Sequence, residues 1–326
     1  MKKTDWLECG YILDGKGGAK KITPALLEKW TPQKGVLWLH LNLKHPKTIG
    51  WLNTKAHLPE WVAQAMTDTQ ESRPRTVIQP DLLLLVLRTI NLRQRSEPDD
   101  MVFMRLFATQ HRLISVHMEP VLKIDKVQES FALKNGPKNV NELIGTILNN
   151  SLSGVSLVID DIEDELDEIE EDLIDHEIEP KMADKLSEIL RKAVVIRRFL
   201  TPEREALDTL SHNKTKWFNK AMQHITREAD HRLDRIIEDI DLIRDRVRIN
   251  QEALQSQEDK NNQKHMYLLS LIATVFLPLT FITGLFGMNV GGIPFSTHPI
   301  GLSVITGIIL LFGVLILLFF KKAKWI

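Results

Sequence analysis

Glu238, Asp245, Glu252 and Asp259 recur every seven residues, so on a modestly supercoiled helix their carboxylates keep to one line. The same step continued toward the C-terminus reaches Met266, Ala273 and Thr280, and the half-steps add Ser270, Leu277 and Gly284. One part of this line is anionic and the other is small or weakly polar on average. Such a line suits a conduit. It suits plain helix packing equally well, because small residues let membrane helices approach closely. A single hairpin encloses nothing, so a pore needs several chains around an axis. A second concentration of carboxylates fills Asp160 to Asp172. A solvated helix face is expected there, with a loose divalent-cation sponge as the alternative, since no Gly-bearing calcium loop is present.

Other reactive side chains are few. The single cysteine, Cys9, excludes an internal disulfide, suits a reducing cytosol and reads as a small packing residue. His111 and His117 share strand parity, and His40 lies within Trp38-Leu39-His40-Leu41-Asn42. None falls at a spacing with Cys, Asp or a second His that defines a ligand set, so structural histidines are expected. There is no Gly-rich phosphate loop, nucleophile elbow or zincin motif, and no nucleophile, base and oxyanion donor can be assembled, so an enzyme is not expected. A net charge of -1 without a cationic stripe argues against nucleic acid. The polar opening Met1-Lys2-Lys3-Thr4-Asp5-Trp6 does not read as a signal peptide, and no cofactor is implied.

The elements that must carry these residues lie near the C-terminus. Met266 to Phe286 contains no charge, and at ~1.5 Å per residue it reaches about 31 Å, enough to cross a bilayer core. Ile300 to Phe320 repeats the pattern. Lys260 and Lys264 precede the first span, Lys321, Lys322 and Lys324 follow the second, and the connector between them has no Lys or Arg. Both termini are therefore expected in the cytoplasm, with the connector outside. No Gly or Pro interrupts Glu228 to Val275, which predicts one long helix entering the membrane. Its Leu233, Ile236, Ile240, Ile243, Val247 and Leu254 form an apolar seam largely opposite the acidic line.

The preceding residues should form a cytosolic domain. Strands are expected at Gly10–Leu13, Val36–Leu41, Leu82–Thr89, Met101–Ala108 and Leu113–His117, with a turn at Thr109-Gln110-His111-Arg112 and a helix at Pro59–Met66. Val155, Ile159, Ile162, Leu166, Ile169 and Leu173 form a coiled-coil seam. After a break at Glu179-Pro180, a second helix presents Leu186, Ile189, Leu190, Ala193, Ile196 and Leu200, bringing Arg191, Lys192, Arg197 and Arg198 beside the acidic helix. The expected organisation is an α/β domain over 1–135, a helical hairpin over 136–227 and a long stalk helix with the first span over 228–286. An external loop over 287–299, a second span over 300–320 and a basic tail over 321–326 complete it.

Gly287-Met288-Asn289 opens the connector of this two-span hairpin. In that place the tripeptide resembles the signature of the CorA superfamily of divalent-cation transporters. Its continuation Val290-Gly291-Gly292-Ile293-Pro294 is more similar to the ZntB branch of zinc transporters than to the magnesium branch. Arg197-Arg198-Phe199-Leu200-Thr201-Pro202-Glu203-Arg204-Glu205 also resembles the superfamily's helical hairpin, and the resemblance covers essentially the whole chain. It implies a homopentameric funnel in a bacterial inner membrane: an α+β cytosolic domain with a mixed sheet, long stalk helices, two C-terminal transmembrane helices and a central pore lined by the first span. Zinc(II) transport with proton-coupled import is the implied function, with magnesium, cobalt or nickel as alternative cargo. The implied partners are copies of the chain itself, the lipid bilayer and divalent cations. A membrane-anchored coiled-coil scaffold is the reading from another class.

Residues 287–299 contain no Asp or Glu, unlike the loops of magnesium-type relatives, which disfavours recruitment by an outer carboxylate ring. Asn289 is instead expected to form a ring of amide oxygens that accept hydrogen bonds from the water of a hydrated ion. Gly287 supplies the turn and Met288 packs behind the ring. Below it, Thr280 offers hydroxyls, Gly284 a backbone carbonyl, and Leu277 and Met266 hydrophobic constrictions. Stacked rings of Glu238, Asp245, Glu252 and Asp259 would repel by roughly 0.5 to 2 kcal/mol per pair at ~8 Å, so bound cations would tighten the stalk.

Overall fold

The computed structural model describes residues 6–69, 73–91, 100–121, 124–174, 181–213, 215–288 and 299–322. Seven strands form one sheet: β1 (Leu7–Leu13), β2 (Ala19–Lys21), β3 (Val36–Asn42), β4 (Arg75–Gln79), β5 (Leu82–Ile90), β6 (Met101–Thr109) and β7 (Arg112–His117). Their spatial order is β2-β1-β3-β7-β6-β5-β4. Every pairing is antiparallel except β3 with β7, which is parallel. The five central strands follow the apolar runs of the sequence. The two edge strands, β2 and β4, were not expected, because short, polar, half-exposed segments carry little strand signal.

Nearly every residue of β5 is buried, as befits a strand covered on both faces. On one face, Leu39, Leu41, Ile114, Val116 and Phe107 share a core with Leu52 of α2 (Pro46–Thr54) and Val62 and Met66 of α3 (Glu60–Thr67); a short helix, α1 (Pro24–Leu27), adds Leu27. On the other face, Phe131 of α4 (Ile124–Ala132) packs on Tyr11 and Trp38. There α5 (Val140–Ile174) meets β5, and α6 (Met182–Ser211) meets β4 and β5. The Thr76 hydroxyl donates to the Ala206 carbonyl oxygen of α6 at 2.6 Å.

The α5 helix starts on a capping box: Asn139 Oδ1 accepts from Glu142 N–H at 3.0 Å, and the Glu142 carboxylate accepts from Lys138 N–H and the Asn139 side-chain amide. The long helix α7 (Lys220–Phe286) is capped by Asn219, whose Oδ1 accepts from Met222 N–H at 2.8 Å. It therefore begins ahead of the Glu228 start read from the sequence. Seam residues Val155, Ile159, Ile162, Leu166 and Ile169 of α5, Leu186, Ile189, Ala193, Ile196 and Leu200 of α6, and Leu233, Ile236, Ile240, Ile243, Val247 and Leu254 of α7 are all buried. Each fully buried side chain contributes about 1.5 to 3 kcal/mol. Charge pairing differs from the expected acidic-against-basic hairpin. Lys192 of α6 does reach Glu165 of α5 at 3.1 Å, but Arg197 turns to Asp241 of α7, and Arg246 of α7 takes Asp167 and Glu170 of α5. Arg246 grips Glu170 through both Nε and Nη2, a bidentate geometry only a guanidinium supplies. Glu179-Pro180 lies outside the described residues.

The chain divides into two units, Met1–Gln251 and Glu252–Ile326. The second holds the rest of α7 and α8 (Gly301–Lys322).

Candidate functional site

Three described helices are long and apolar enough to cross a membrane: α5, α7 and α8. Half of the apolar window of α5 is buried inside the protein, where it covers the sheet, whereas none of the windows of α7 and α8 is. The two apolar segments read from the sequence lie on α7 and α8.

On α7, Met266, Ser270, Ala273, Leu277, Thr280 and Gly284 are all exposed in the single chain. Space around Gly284 is open, with no atom near an added Cβ. The half-buried residues are Leu271, Val275, Pro278, Leu279, Ile282 and Phe286. Ile272, Phe276 and Phe281 of the same span, 46%, 62% and 70% exposed, are uncovered in the single chain as well. Pro278 lies inside the helix and lacks the N–H that would engage the Thr274 carbonyl. Gly287 N–H donates to the Thr283 carbonyl oxygen at 2.9 Å, ending the helix, and Met288 is 49% exposed in the single chain. Asn289 and the connector through His298 lie outside the described residues.

Glu238, Asp245, Glu252 and Asp259 are likewise exposed. Leu242 and Ile249, 55% and 64% exposed, interleave with them at four- and three-residue steps. These two leucine-class side chains complete a heptad seam with no cover in a single chain. The sequence carries this signal in Leu242 and Ile249, which alternate with the acidic repeat.

The histidines differ from expectation. Among the described residues, one group of three side chains is placed to hold a metal ion, and it is Glu8, His40 and His117. His40 and His117 come from neighbouring parallel strands and stack with ring centroids 4.3 Å apart. No short sequence spacing could announce this, because the pairing of β3 with β7 creates it.

The CorA-like Mg2+ transporter protein family matches residues 33–322. This chain belongs to the CorA family. A zinc transport protein ZntB of Pectobacterium carotovorum is 32% identical over 97% of this CorA-family chain and 95% of that protein. The divalent cation transporter CmaX of Pseudomonas aeruginosa is 33% identical over 90% of this chain and 88% of its own. The structure of full-length CmaX superposes with a TM-score of 0.83 at 30% identity, covering 98% of each chain. The CorA magnesium transporter of Methanocaldococcus jannaschii has the same fold, with a TM-score of 0.82 over 97% of this chain and 98% of that one at 17% identity. The protein is a divalent-cation transporter of the CorA family, built from an α+β domain with a mixed sheet, a long helix and two C-terminal membrane helices.

Proposed function

We propose that this CorA-family transporter carries zinc(II), as a hydrated ion, through a pore formed by five copies of the chain, with protons driving import. The observation that carries the zinc assignment is the match over 97% of the chain to a protein named for zinc transport. The absence of Asp and Glu from residues 287–299 agrees with it. Stripping water from a divalent ion inside lipid would cost far more than neutral groups return. The ion therefore keeps its water and passes an Asn289 amide ring at the outer mouth, with the connector outside and both termini in the cytoplasm. Gly287 gives that mouth its turn, and Met288 packs behind the ring.

Exposure along α7 supports the shared axis. Leu277 and Met266, 76% and 64% exposed, are free to form hydrophobic constrictions, with Ser270, Ala273, Thr280 and Gly284 between and beyond them. The uncovered Leu242 and Ile249 supply an interface on which copies associate, and that interface places Glu238, Asp245, Glu252 and Asp259 in anionic rings that bind the cargo on the cytoplasmic side.

The test is purified full-length protein in vesicles loaded with a zinc-sensitive dye, with and without an inward proton gradient. Zinc influx that rises with the gradient is expected; magnesium flux without zinc flux would overturn the cargo, and zinc flux indifferent to the gradient would overturn the coupling. Asn289→Ala should abolish zinc influx while the assembly elutes unchanged on gel filtration. Normal influx in that variant would remove Asn289 from the mechanism.

A further inference from the structure

The ligand atoms of Glu8, His40 and His117 all lie within 4.8 Å of one another, and both imidazoles are buried. Strand geometry brings them together. In the parallel β3–β7 pair His40 lies beside Ser115 and Asn42 beside His117, so both rings leave the same face of the sheet, near the carboxyl ends of their strands. Glu8 is the extra residue of a β-bulge: Leu7 pairs with Leu41 and Cys9 with His40, leaving Glu8 unpaired and its side chain re-aimed. The segments leaving β3 and β7 diverge. The first leads to α2, whose Leu52 joins the core of one face, and the second to α4, whose Phe131 packs on the other. Between adjacent parallel strands whose connections part in this way, open α/β sheets form their ligand crevice.

Hydrogen bonding assigns the ring tautomers. His117 Nδ1 lies 2.9 Å from the Glu119 carbonyl oxygen, which can only accept, so Nδ1 carries the proton. Ser115 Oγ receives the Trp38 indole N–H and donates to the Leu39 carbonyl oxygen, so His40 Nδ1, 2.8 Å away, donates to it. Both Nε2 atoms are left as lone-pair donors, the second-sphere pattern that orients metal-binding imidazoles. His117 Nε2 lies 2.6 Å from a Glu8 carboxylate oxygen, an ion pair when the imidazole is protonated, without the alignment of a hydrogen bond. A neutral imidazole so placed turns its lone pair toward an anionic oxygen, an arrangement relieved by a proton or by a metal ion that both atoms ligate.

We propose that Glu8, His40 and His117 form a resident site for a first-row divalent metal ion of the zinc class, bound through the Glu8 carboxylate and the two Nε2 atoms. Two imidazoles and a carboxylate suit zinc or cobalt, whereas magnesium and calcium take all-oxygen shells. The rings now lie within 11° of parallel, so an ion makes them turn until their lone pairs converge. The Glu8 side chain, 30% exposed, gives the ion access, and water completes the coordination. No residue of the site belongs to α7 or α8, so it does not rest on the transport reading.

Cobalt(II) is the probe. Chelator-stripped full-length protein in detergent, titrated with cobalt, is expected to develop a visible d–d band at about one ion per chain, displaced by zinc. The band should persist in a Glu252→Gln, Asp259→Asn control. It should vanish in His117→Asn, with circular dichroism of the metal-free variant reporting the fold. Should that variant fail to fold, Glu8→Gln at the exposed rim should still weaken cobalt binding by about tenfold or more. No band in the parent protein at millimolar cobalt, or an unchanged isotherm in folded His117→Asn or Glu8→Gln, would overturn the proposal.

Discussion

Glu203 offers a quantitative test of how α6 is fastened to the sheet. Its side chain is fully buried, and Oε2 accepts a hydrogen bond at 3.0 Å from the Arg88 backbone N–H of β5. Burial pushes its carboxyl up to about 8 from an ordinary 4.5, although the Arg88 hydrogen bond and charge pull the other way. Between those two values the folded protein keeps a proton that the unfolded chain has released, so stability falls as pH rises. The slope is about 1.4 kcal/mol per pH unit, on the order of 5 kcal/mol across the window. Glu203→Gln retains an acceptor for the Arg88 amide and cannot ionise. Thermal unfolding of the detergent-solubilised protein, followed by circular dichroism, should place the two proteins close together at pH 5 and the variant clearly higher at pH 8. His40 contributes the opposite trend, because its lowered pKa costs stability as pH falls below 6.5. That contribution is common to both proteins and cancels in their difference. Curves that stay parallel across the whole range would refute the assignment of a proton to buried Glu203.

Three further outcomes concern α7. Leu277→Asn should raise zinc leak several-fold in vesicles, measured by dye fluorescence without a driving gradient, because a polar ring no longer dewets. Leu242→Glu combined with Ile249→Glu should shift the solubilised protein toward smaller species on gel filtration with multi-angle scattering, since it places like charges on the uncovered seam. Glu252→Gln with Asp259→Asn should abolish the dependence of transport on cytoplasmic cation concentration, and an unchanged dependence would leave those residues as a solvated face.

Much of this architecture was legible in the sequence because periodicity reports burial directly. The α5, α6 and α7 seams and the central strands were visible as repeats of 3.5 and runs of β-branched or apolar residues. The edge strands β2 and β4 were not, since nothing in a short polar segment distinguishes it from a loop. The partners of Arg197 and Arg246 depended on how three helices pack, and sequence order alone favoured the nearer pairing. The line from Met266 to Gly284 was readable as a step of seven, a pattern that needs no knowledge of tertiary packing. The grouping of Glu8, His40 and His117 is not legible in sequence spacing for a different reason. Their proximity depends on a parallel pairing across some 75 positions and on one inserted residue in β1.

The apolar character of α5 has a bearing on biogenesis. Hydropathy alone would send this helix into the bilayer, yet it packs on β5. A ribosome delivers all seven strands before α5 emerges, so the nascent sheet is already waiting to claim its greasy side ahead of the insertion machinery. Lesions that slow sheet formation should therefore misroute α5 as an extra span, inverting everything downstream, which accessibility labelling of single cysteines introduced after Ser211 would reveal.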